Sequence, residues 1–191
     1  MEHIERAGVH SGDSIAVYPP YNLSDKMRKT VIECSTNLAL TLKTKGLVNI
    51  QYLIYRNELY VIEVNPRASR TVPYISKVTN VPMVDLASKI MVGAKLKDFD
   101  YGTGLYKTPP YYAVKVPVFS FEKLNDVNSA LGPEMKSTGE VLGIGKTLNE
   151  AIFKGMISAG FHLYDHTASA AKGVFITVSD QDQFEIVQLA K

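Results

Sequence analysis

Apolar side chains recur along the chain at two periods, and these periods predict a mixture of helices and strands. Residues spaced three and four apart follow the helix-capping pair Ser24–Asp25 and predict an amphipathic helix: Met27, Val31, Cys34, Leu38 and Leu42. The same period predicts helices over 71–78, over 82–92 and after the capping residue Thr147. Cys34 lies on the apolar stripe of the first helix, so we interpret it as a core residue rather than a nucleophile.

Alternation of apolar and polar residues predicts two adjacent strands over 47–55 and 59–65. The apolar positions are even-numbered in both strands, so the strands share one apolar face only if both members of each pair are even-numbered, for example Ile54 with Tyr60. That register requires a three-residue connection over 56–58. The segment is therefore predicted to be an antiparallel hairpin with one apolar and one polar face.

The polar face of this hairpin carries three side chains with oxygen atoms. In the predicted register Gln51 lies opposite Glu63, with Cβ atoms about 4.5–5.5 Å apart, and Asn65 points to the same side. Arg67 and Arg70 follow the second strand within one turn, and guanidinium groups are suited to phosphate or carboxylate oxygens. An exposed polar sheet face needs no function, but oxygen atoms beside two arginines favour a site that handles metal and phosphate.

The later part of the chain gives weaker signals. Alternation predicts a strand over 111–119, in which Pro117 indicates an edge position, and a glycine-interrupted strand over 137–145. After a small and polar linker, an apolar segment over 173–178 precedes a helix and predicts the first β–α unit of an α/β domain. One strand and one helix cannot cover both faces of a parallel sheet, so we expect this second domain to be cut.

The composition of the chain mainly excludes classes of protein and partner. Hydrophobic residues make up 46% of the 191 positions and charged residues 21%, which is typical of a globular protein. The net charge of +2 is too small to indicate a nucleic-acid or membrane partner. No apolar run approaches the roughly 18 residues of a membrane span, and no signal peptide is visible, so we expect a cytoplasmic protein. The single cysteine excludes an internal disulfide.

The segment 8–14 combines two glycines with serine, histidine and aspartate. Glycine lets the backbone approach a ligand closely, so this segment is a candidate binding loop, although a plain surface loop is the commoner explanation of such a run. The glycines near 143–145 do not follow the strand–GxGxxG–helix order of a dinucleotide fingerprint.

Several sequence motifs occur in a specific combination along essentially the whole chain. They are EHIE at 2–5, GVHSGDS at 8–14, NIQ at 49–51, IEVNPRASRTVP at 62–73 and GPEMKSTGEV at 132–141. Together these motifs resemble the large subunit of carbamoyl phosphate synthetases, and specifically its second ATP-grasp half, which phosphorylates carbamate. The Thr-Val-Pro and Gly-Pro-Glu-Met motifs favour this half over the first.

The resemblance implies an α+β fold that is the C-terminal portion of an ATP-grasp domain, over residues 1–160. A linker over 161–171 and the start of a methylglyoxal-synthase-like allosteric domain over 172–191 are implied to follow. The family's preceding part of the ATP-grasp unit, which covers the phosphates and contacts adenine, lies upstream of Met1. We therefore expect this chain alone to lack synthetase activity.

The resemblance also implies roles for individual residues. ATP binding is implied for Gly8, Val9, His10, Ser11, Gln51 and Glu63. The implied metal ligands are Gln51, Glu63 and Asn65. Arg67 and Arg70 are implied to be the catalytic residues that face the transferred phosphate and carbamate. An allosteric amine effector and a potassium ion are implied near Glu5, Asp13 and Glu134.

The implied cofactors are ATP and Mg²⁺ or Mn²⁺, with K⁺ as a further ion. Oxygen ligands suit Mg²⁺, and phosphoryl transfer needs metal bridging and cationic clamping rather than a protein nucleophile. The implied partners are the rest of the large subunit and a glutamine amidotransferase small subunit, in an allosteric enzyme of arginine and pyrimidine biosynthesis. Neither nucleic acid nor a membrane is implied.

Two other functions fit part of the sequence. Another ATP-grasp ligase, such as a biotin-type carboxylase, shares the Glu-x-Asn arrangement, although the motifs at 67–71 and 132–135 argue against it. A non-catalytic regulatory module is the other alternative, in which Glu63 and its neighbours are a solvated sheet face.

Overall fold

The computed structural model describes residues 1–8, 12–121, 128–132, 134–161, 176–180 and 182–189. The chain divides into two units, 1–161 and 162–191, and each is described by itself. The described strands are β1 (Glu2–His3), β2 (Ala16–Tyr18), β3 (Asn49–Tyr55), β4 (Glu58–Asn65), β5 (Tyr112–Val118) and β6 (Gly139–Gly145). The described α-helices of the first unit are α1 (Asp25–Thr41), α2 (Thr71–Thr79), α3 (Met83–Met91) and α4 (Leu148–Ser158), and Leu96–Asp98 form one turn of 3-10 helix.

These elements confirm the α+β class, because helices and strands are mixed along the chain and each described strand pair is antiparallel. One sheet has four strands in the order β1–β2–β5–β6, and β3 and β4 form a separate two-stranded sheet. No helix among the described residues is long and apolar enough to cross a membrane.

The main core lies between the four-stranded sheet and α4. Its fully buried members are Val17, Val114, Val116 and Ala151. The helix starts as predicted, since the Thr147 side chain accepts a hydrogen bond from the backbone N–H of Glu150 at 3.2 Å. Burial of apolar side chains at about 25 cal/mol per Å² is the main contribution that holds this layer to the sheet.

Two glycines allow α4 to approach β6 closely. A Cβ atom on Gly143 would overlap the carbonyl oxygen of Ala151 and the backbone of Gly155. A Cβ atom on Gly155 would in turn lie 2.7 Å from Cγ2 of Val116. The helix and the strand therefore touch backbone to backbone, which only residues without a side chain permit.

The helix α2 packs on the same sheet through a second buried cluster, which contains Tyr74, Val78 and Ala113. The phenol of Tyr74 donates a hydrogen bond to the carbonyl oxygen of Ala113 at 2.6 Å, and Tyr111 donates to the carbonyl oxygen of Val78 at 2.8 Å. Burial raises the pKa of the Tyr74 phenol, so it stays a donor throughout the pH range of a stable protein. These bonds fix α2, and with it the connection that precedes it.

The helix α1 begins as predicted, because Oγ of Ser24 accepts a hydrogen bond from the backbone N–H of Met27 at 3.2 Å. The prediction that Cys34 is a core residue is wrong, since Cys34 is half-buried and no residue of α1 is fully buried. The described packing of this helix is against the β3–β4 hairpin, where Ser35 Oγ and the Tyr52 hydroxyl lie 2.7 Å apart. An apolar stripe marks the packed face of a helix, but one neighbouring layer covers it only partly.

The hairpin register agrees with the prediction at one end and differs at the other. Gln51 pairs with Glu63 as predicted, but Tyr60 pairs with Leu53 rather than with Ile54. The turn causes the difference, and a bulge further along the strands removes it. The strands are joined by a two-residue turn, Arg56 and Asn57, whose φ values of 49° and 62° match a type I′ hairpin turn. A β-bulge then restores the predicted register between Gln51 and Tyr52.

The prediction that Pro117 indicates an edge strand is wrong, because β5 lies between β2 and β6. The neighbour β2 pairs only as far as Lys115, so the strand is locally open beyond that residue. On the other side, the carbonyl oxygen of Val118 accepts a hydrogen bond from Thr138 of the β6 side at 2.8 Å. Since consecutive residues of a strand direct their backbone groups to opposite sides, the nitrogen of Pro117 points to the open side, where no donor is needed.

The second unit contains α5 (Gln183–Leu189), which agrees with the predicted helix. The predicted strand over 173–178 is wrong for residues 176–178, which are not in a strand, while 173–175 lie outside the described residues. A strand needs a hydrogen-bonded neighbour, and the described part of this unit offers none. Apart from residue 161, the predicted linker over 161–171 also lies outside the described residues.

Candidate functional site

The polar face of the β3–β4 hairpin brings Gln51, Glu63 and Asn65 together. Gln51 Nε2 donates a hydrogen bond to Oε1 of Glu63 at 2.7 Å, and Asn65 Nδ2 donates to the same oxygen at 2.9 Å. The pairing of Gln51 with Glu63 sets this geometry, and Glu63 is exposed. The patch therefore presents one carboxylate and two amides to solvent.

This patch fits the ligand preferences of magnesium. Mg²⁺ binds carboxylate and carbonyl-type oxygens and keeps several waters or phosphate oxygens in its other positions. The described residues contain no group of three or more His, Cys, Asp or Glu side chains that could hold a metal. A metal here would thus rest on the carboxylate of Glu63 and the amide oxygens of Gln51 and Asn65. Each amide would turn its oxygen toward the metal in place of the nitrogen that now faces Glu63.

The two arginines lie in the connection between β4 and α2, and both are exposed. Arg67 donates from its backbone to the carbonyl oxygen of Asn65 at 2.8 Å and from Nη1 to the carbonyl oxygen of Ala68 at 3.0 Å. Arg70 directly precedes α2 and reaches Ser137 on the β6 side. Its Nη1 donates to Oγ of Ser137, and its Nη2 donates to the carbonyl oxygen of Ser137, both at 3.2 Å.

Asp13 connects the glycine-rich segment to Ser137, the residue that Arg70 contacts. Its side chain is buried, with 1% of its surface exposed. Its carboxylate accepts a hydrogen bond from the backbone N–H of Lys136 at 2.6 Å and from that of Ser137 at 3.2 Å. Burial opposes ionisation, but hydrogen bonds from Ser137 and Lys136 and the positive charge of Arg70 outweigh it and lower the pKa of Asp13. Asp13 is therefore ionised at neutral pH.

A buried lysine supports this segment from the sheet. Lys115, at the centre of β5, is 3% exposed and forms an ion pair with Glu140, with 3.1 Å between Nζ and Oε1. The same ammonium donates to the carbonyl oxygen of Gly12 at 3.4 Å. Gly12 also lies against the side chain of Met135, and a Cβ atom there would come within 2.5 Å of its sulfur. The segment around Gly12 is thus held on both sides.

The other predicted residues are placed as follows. Gly8 has a φ of 87°, a conformation that favours glycine. Glu5 accepts a hydrogen bond from the backbone N–H of Ile15 at 2.9 Å, and Glu134 is exposed. Three predicted ATP-binding residues lie outside the described part of the chain: Val9, His10 and Ser11.

The described contacts thus form two groups, which residues 66–69 connect along the chain. One group is Glu63 with its two amides, and the other joins Asp13, Ser137 and Arg70. Ser137 and Lys115 are not among the site residues predicted from the sequence. Lys115 had a visible signal, because a charged residue stands there between valines of a predicted strand. Ser137 had none, since its role depends on a contact across 67 residues.

Comparison with known sequences identifies relatives along the full length of the chain. A family model described as "Carbamoyl-phosphate synthase L chain, ATP binding domain" matches residues 1–99. The carbamoyl phosphate synthase large chain of Clostridium perfringens is 54% identical over all 191 residues, and that of Lachnoclostridium phytofermentans is 55% identical. The chain spans 18% and 17% of the lengths of these two relatives.

Comparison with solved structures gives more distant likenesses. The urea amidolyase of K. lactis matches 73% of this chain and 10% of its own, with a TM-score of 0.58 and 20% identity. The biotin carboxylase–β,γ-ATP complex of Campylobacter jejuni also matches 73% of this chain and 36% of its own, with a TM-score of 0.57 and 15% identity. At these identities the likeness shows a shared fold and nothing about substrate.

Proposed function

Because the chain belongs to the carbamoyl-phosphate synthase L chain ATP-binding domain family, we propose that it forms part of an ATP-dependent ligase that makes carbamoyl phosphate. We propose further that this part phosphorylates carbamate. The observation that carries the proposal is the meeting of Gln51, Glu63 and Asn65 around one carboxylate oxygen, at the strand end that leads to two arginines. That arrangement offers ligands for a metal and donors for phosphate within one short segment.

In the proposed reaction an oxygen of carbamate attacks the γ-phosphorus of ATP. The bond from that phosphorus to the β–γ bridging oxygen breaks, ADP leaves with the electron pair, and carbamoyl phosphate forms. Charge balances without transfer of a proton, so no general base is required. This agrees with the chemistry of the described site, which presents ligands and cationic donors and no activated nucleophile.

The residues of this chain would bind and orient the reactants. Glu63, Gln51 and Asn65 would hold Mg²⁺ or Mn²⁺, which when bound neutralises charge on the β- and γ-phosphates. Gln51 and Glu63 would also bind the nucleotide, together with Gly8, Val9, His10 and Ser11 of the glycine-rich segment. Holding the reactants in line is worth more than any single contact, because effective concentrations rise steeply with correct geometry.

The arginines would act on the transferring group. Arg67 and Arg70 are exposed, and each described side-chain bond uses only part of a guanidinium that carries five N–H donors. The remaining donors would bind the transferred phosphoryl oxygens and the carbamate.

We propose the wider setting from the family resemblance, and the large-chain relatives support it as far as the large subunit. The chain would work within a longer large subunit, beside a glutamine amidotransferase small subunit that supplies ammonia, in the cytoplasm and in arginine and pyrimidine biosynthesis. On its own it would be inactive, since it spans 18% of such a relative. Glu5, Asp13 and Glu134 remain predicted to lie near an effector and a potassium ion, and 172–191 remain predicted to begin the allosteric domain.

A biotin-type carboxylase is the second candidate and receives less support. The chain shares only 15% identity with the biotin carboxylase complex that has its fold, against 54% with a carbamoyl phosphate synthase large chain. A non-catalytic module is the third candidate, and it predicts that Glu63 is dispensable.

The proposal is tested with Glu63→Gln in the full-length protein that contains this chain. The substitution removes the negative charge and keeps the shape of the side chain, so the formation of ATP from carbamoyl phosphate, ADP and Mg²⁺ should fall about 100-fold. Glu58→Gln is the matched control, because Glu58 is an exposed carboxylate at the other end of the same strand, bonded to Tyr60.

Three outcomes separate the candidates. A loss with Glu63→Gln and none with Glu58→Gln supports carbamate phosphorylation. Activity that requires biotin and bicarbonate would support a carboxylase instead. Equal rates and equal affinity for Mg-ATP in the wild type and Glu63→Gln would favour the non-catalytic module. The isolated 191-residue chain serves as the negative reference, and robust turnover by it would contradict its proposed inactivity.

A further inference from the structure

Arg70 is held at its guanidinium end by a single residue of a distant segment. Oγ of Ser137 accepts from Nη1 and the carbonyl oxygen of Ser137 accepts from Nη2, both at 3.2 Å. Ser137 follows Arg70 by 67 positions in the chain, so the contact is tertiary. Two bonds from different nitrogens to one residue restrict both the position and the orientation of a guanidinium more than one bond does.

Ser137 is itself fixed from behind. Its backbone N–H donates to the buried carboxylate of Asp13, and the preceding N–H, of Lys136, donates to the same carboxylate at 2.6 Å. The next residue, Thr138, donates from its backbone to Val118 at 2.8 Å. Ser137 thus stands at the point where the segment enters the sheet, with its neighbours on both sides bonded.

Asp13 is fixed in its turn by the core. The residue before it, Gly12, accepts a hydrogen bond from Lys115, which is 3% exposed and paired with Glu140. A buried ion pair and a buried, bonded carboxylate resist movement, because displacing either leaves a charge without its partner in a low dielectric. A path of direct contacts therefore runs from β5 through the Gly12–Asp13 segment to Ser137 and Arg70.

We propose that Ser137 is a positioning residue for Arg70, which it holds in the place where Arg70 meets the transferred phosphoryl group. The inference rests on the proposed function. An exposed arginine has four rotatable side-chain bonds and would otherwise sample many positions, whereas phosphoryl transfer depends on placed charge. A misplacement of about 1 Å can cost roughly a hundredfold in rate. Ser137 touches neither reactant in this assignment and acts through Arg70.

Ser137→Ala tests the inference in the full-length protein, with formation of ATP from carbamoyl phosphate and ADP as the assay. The variant removes the hydroxyl, which accepts from Arg70 and also bonds to the Asp13 carboxylate, and it keeps the backbone bonds from Lys136 and Ser137 to Asp13. We expect kcat to fall about tenfold, as for one hydrogen bond to a charged group, with KM for ADP changed less than about twofold. Ser137→Thr keeps the hydroxyl and should restore kcat to within about threefold of the wild type.

Ser120→Ala is the matched control. Ser120 carries a hydroxyl at the same end of the sheet, bonded to Oγ1 of Thr138 with 2.8 Å between the oxygens, and its bond does not involve Arg70. The control variant should keep the wild-type kcat. A drop of equal size in both alanine variants would indicate a general effect on the sheet end and would overturn the assignment.

A double-mutant cycle with Arg70→Lys gives the decisive readout. If Ser137 acts through Arg70, Ser137→Ala should cost about tenfold in the wild-type background and less than about twofold in the Arg70→Lys background. Equal costs in both backgrounds, including a cost that comes from poor folding, would overturn the inference. A wild-type protein without ATP formation would instead defeat the proposed function, so the two failures are distinguishable.

Discussion

The carboxylate of Asp13 is buried and that of Glu63 is exposed, and this difference indicates different roles for the two residues. Asp13 is buried, and its carboxylate accepts the backbone N–H groups of Lys136 and Ser137 from a distant segment. Glu63 is exposed, and its described bonds come from the side-chain amides of Gln51 and Asn65. Glu63 is therefore suited to bind a ligand, and Asp13 is suited to hold protein segments together.

The role of Asp13 predicts a pH-dependent effect of Asp13→Asn on the free energy of unfolding. The folded-state pKa is lowered, so the carboxylate stabilises the fold above the unfolded-state pKa of about 3.9, and this contribution is lost as the pH falls through the folded-state value. We expect the variant to be less stable by about 1.5–3 kcal/mol at pH 7 and the gap to shrink below about pH 4. Urea unfolding at pH 7, 5 and 3 measures it.

The control for this series is Asp85→Asn, because Asp85 is exposed and paired with Lys89 on the surface of α3. An exposed pair of this kind contributes at most about 0.5 kcal/mol. A stability gap for Asp13→Asn that is as large at pH 3 as at pH 7 would show that its charge is not what stabilises the segment.

Single residues were predictable where the chemistry is local. The cap residues Ser24 and Thr147 are examples, because the side chain and the N–H that it accepts lie three residues apart. The link between Arg70 and Ser137 was not predictable, since it depends on how α2 and β6 meet in three dimensions. The same holds for Asp13, for which the sequence offered a ligand role and the structure gives hydrogen bonds over 123 positions.

At the level of elements, the contact between α4 and β6 depends on Gly143. A side chain there would overlap backbone atoms of Ala151 and Gly155, so the helix and the strand would have to separate. We expect Gly143→Ala to lower the free energy of unfolding by about 3 kcal/mol, at the upper end of the usual cost of overpacking. Urea unfolding of the chain at neutral pH measures the change.

Gly139→Ala provides the comparison within the same strand. A Cβ atom at Gly139 would meet nothing within 4 Å, and its φ is not positive, so this variant should change stability by less than about 0.5 kcal/mol. Equal losses in the two variants would mean that loss of glycine from β6, rather than close packing against α4, determines the cost.

Element types followed from periodicity more reliably than their pairing did. The hairpin was predicted because alternation is strong in both strands, and the Gln51–Glu63 pair was predicted with it. The rest of the register is not predictable from the sequence. Arg56 and Asn57 adopt the positive φ values of a tight hairpin turn, but they lack the Asn-Gly sequence that usually signals such a turn. Pro117 was misread for a related reason: a strand can be central in a sheet and still open at one end.

At the level of the whole molecule, both buried clusters lie within the first unit. We therefore expect a chain that ends at Phe161 to fold on its own, because the described members of both clusters lie between residues 1 and 161. Such a chain should unfold in a single cooperative transition in urea, with coincident changes in far-ultraviolet circular dichroism and tyrosine fluorescence.

The outcome also tests the predicted domain boundary near residue 160. A truncated chain that is expanded, or that unfolds without a cooperative transition, would mean that the boundary is misplaced. Small and polar residues after Phe161 indicate this boundary in the sequence. Such a composition indicates where a linker lies, but it does not indicate the free energy of unfolding of either domain.

The bulge in the β3–β4 hairpin has a consequence for how the gene can change. Ile62 is the residue of β4 that has no partner on β3, and its side chain is 59% exposed. Removal of this one residue would leave Gln51 opposite Glu63 and every other pair of the hairpin unchanged, whereas a deletion earlier in β4 would shift the pairs between the turn and the bulge. A codon lost at this position would spare the ligand-bearing face and the pairing around it, so deletions that survive selection in this hairpin should fall there.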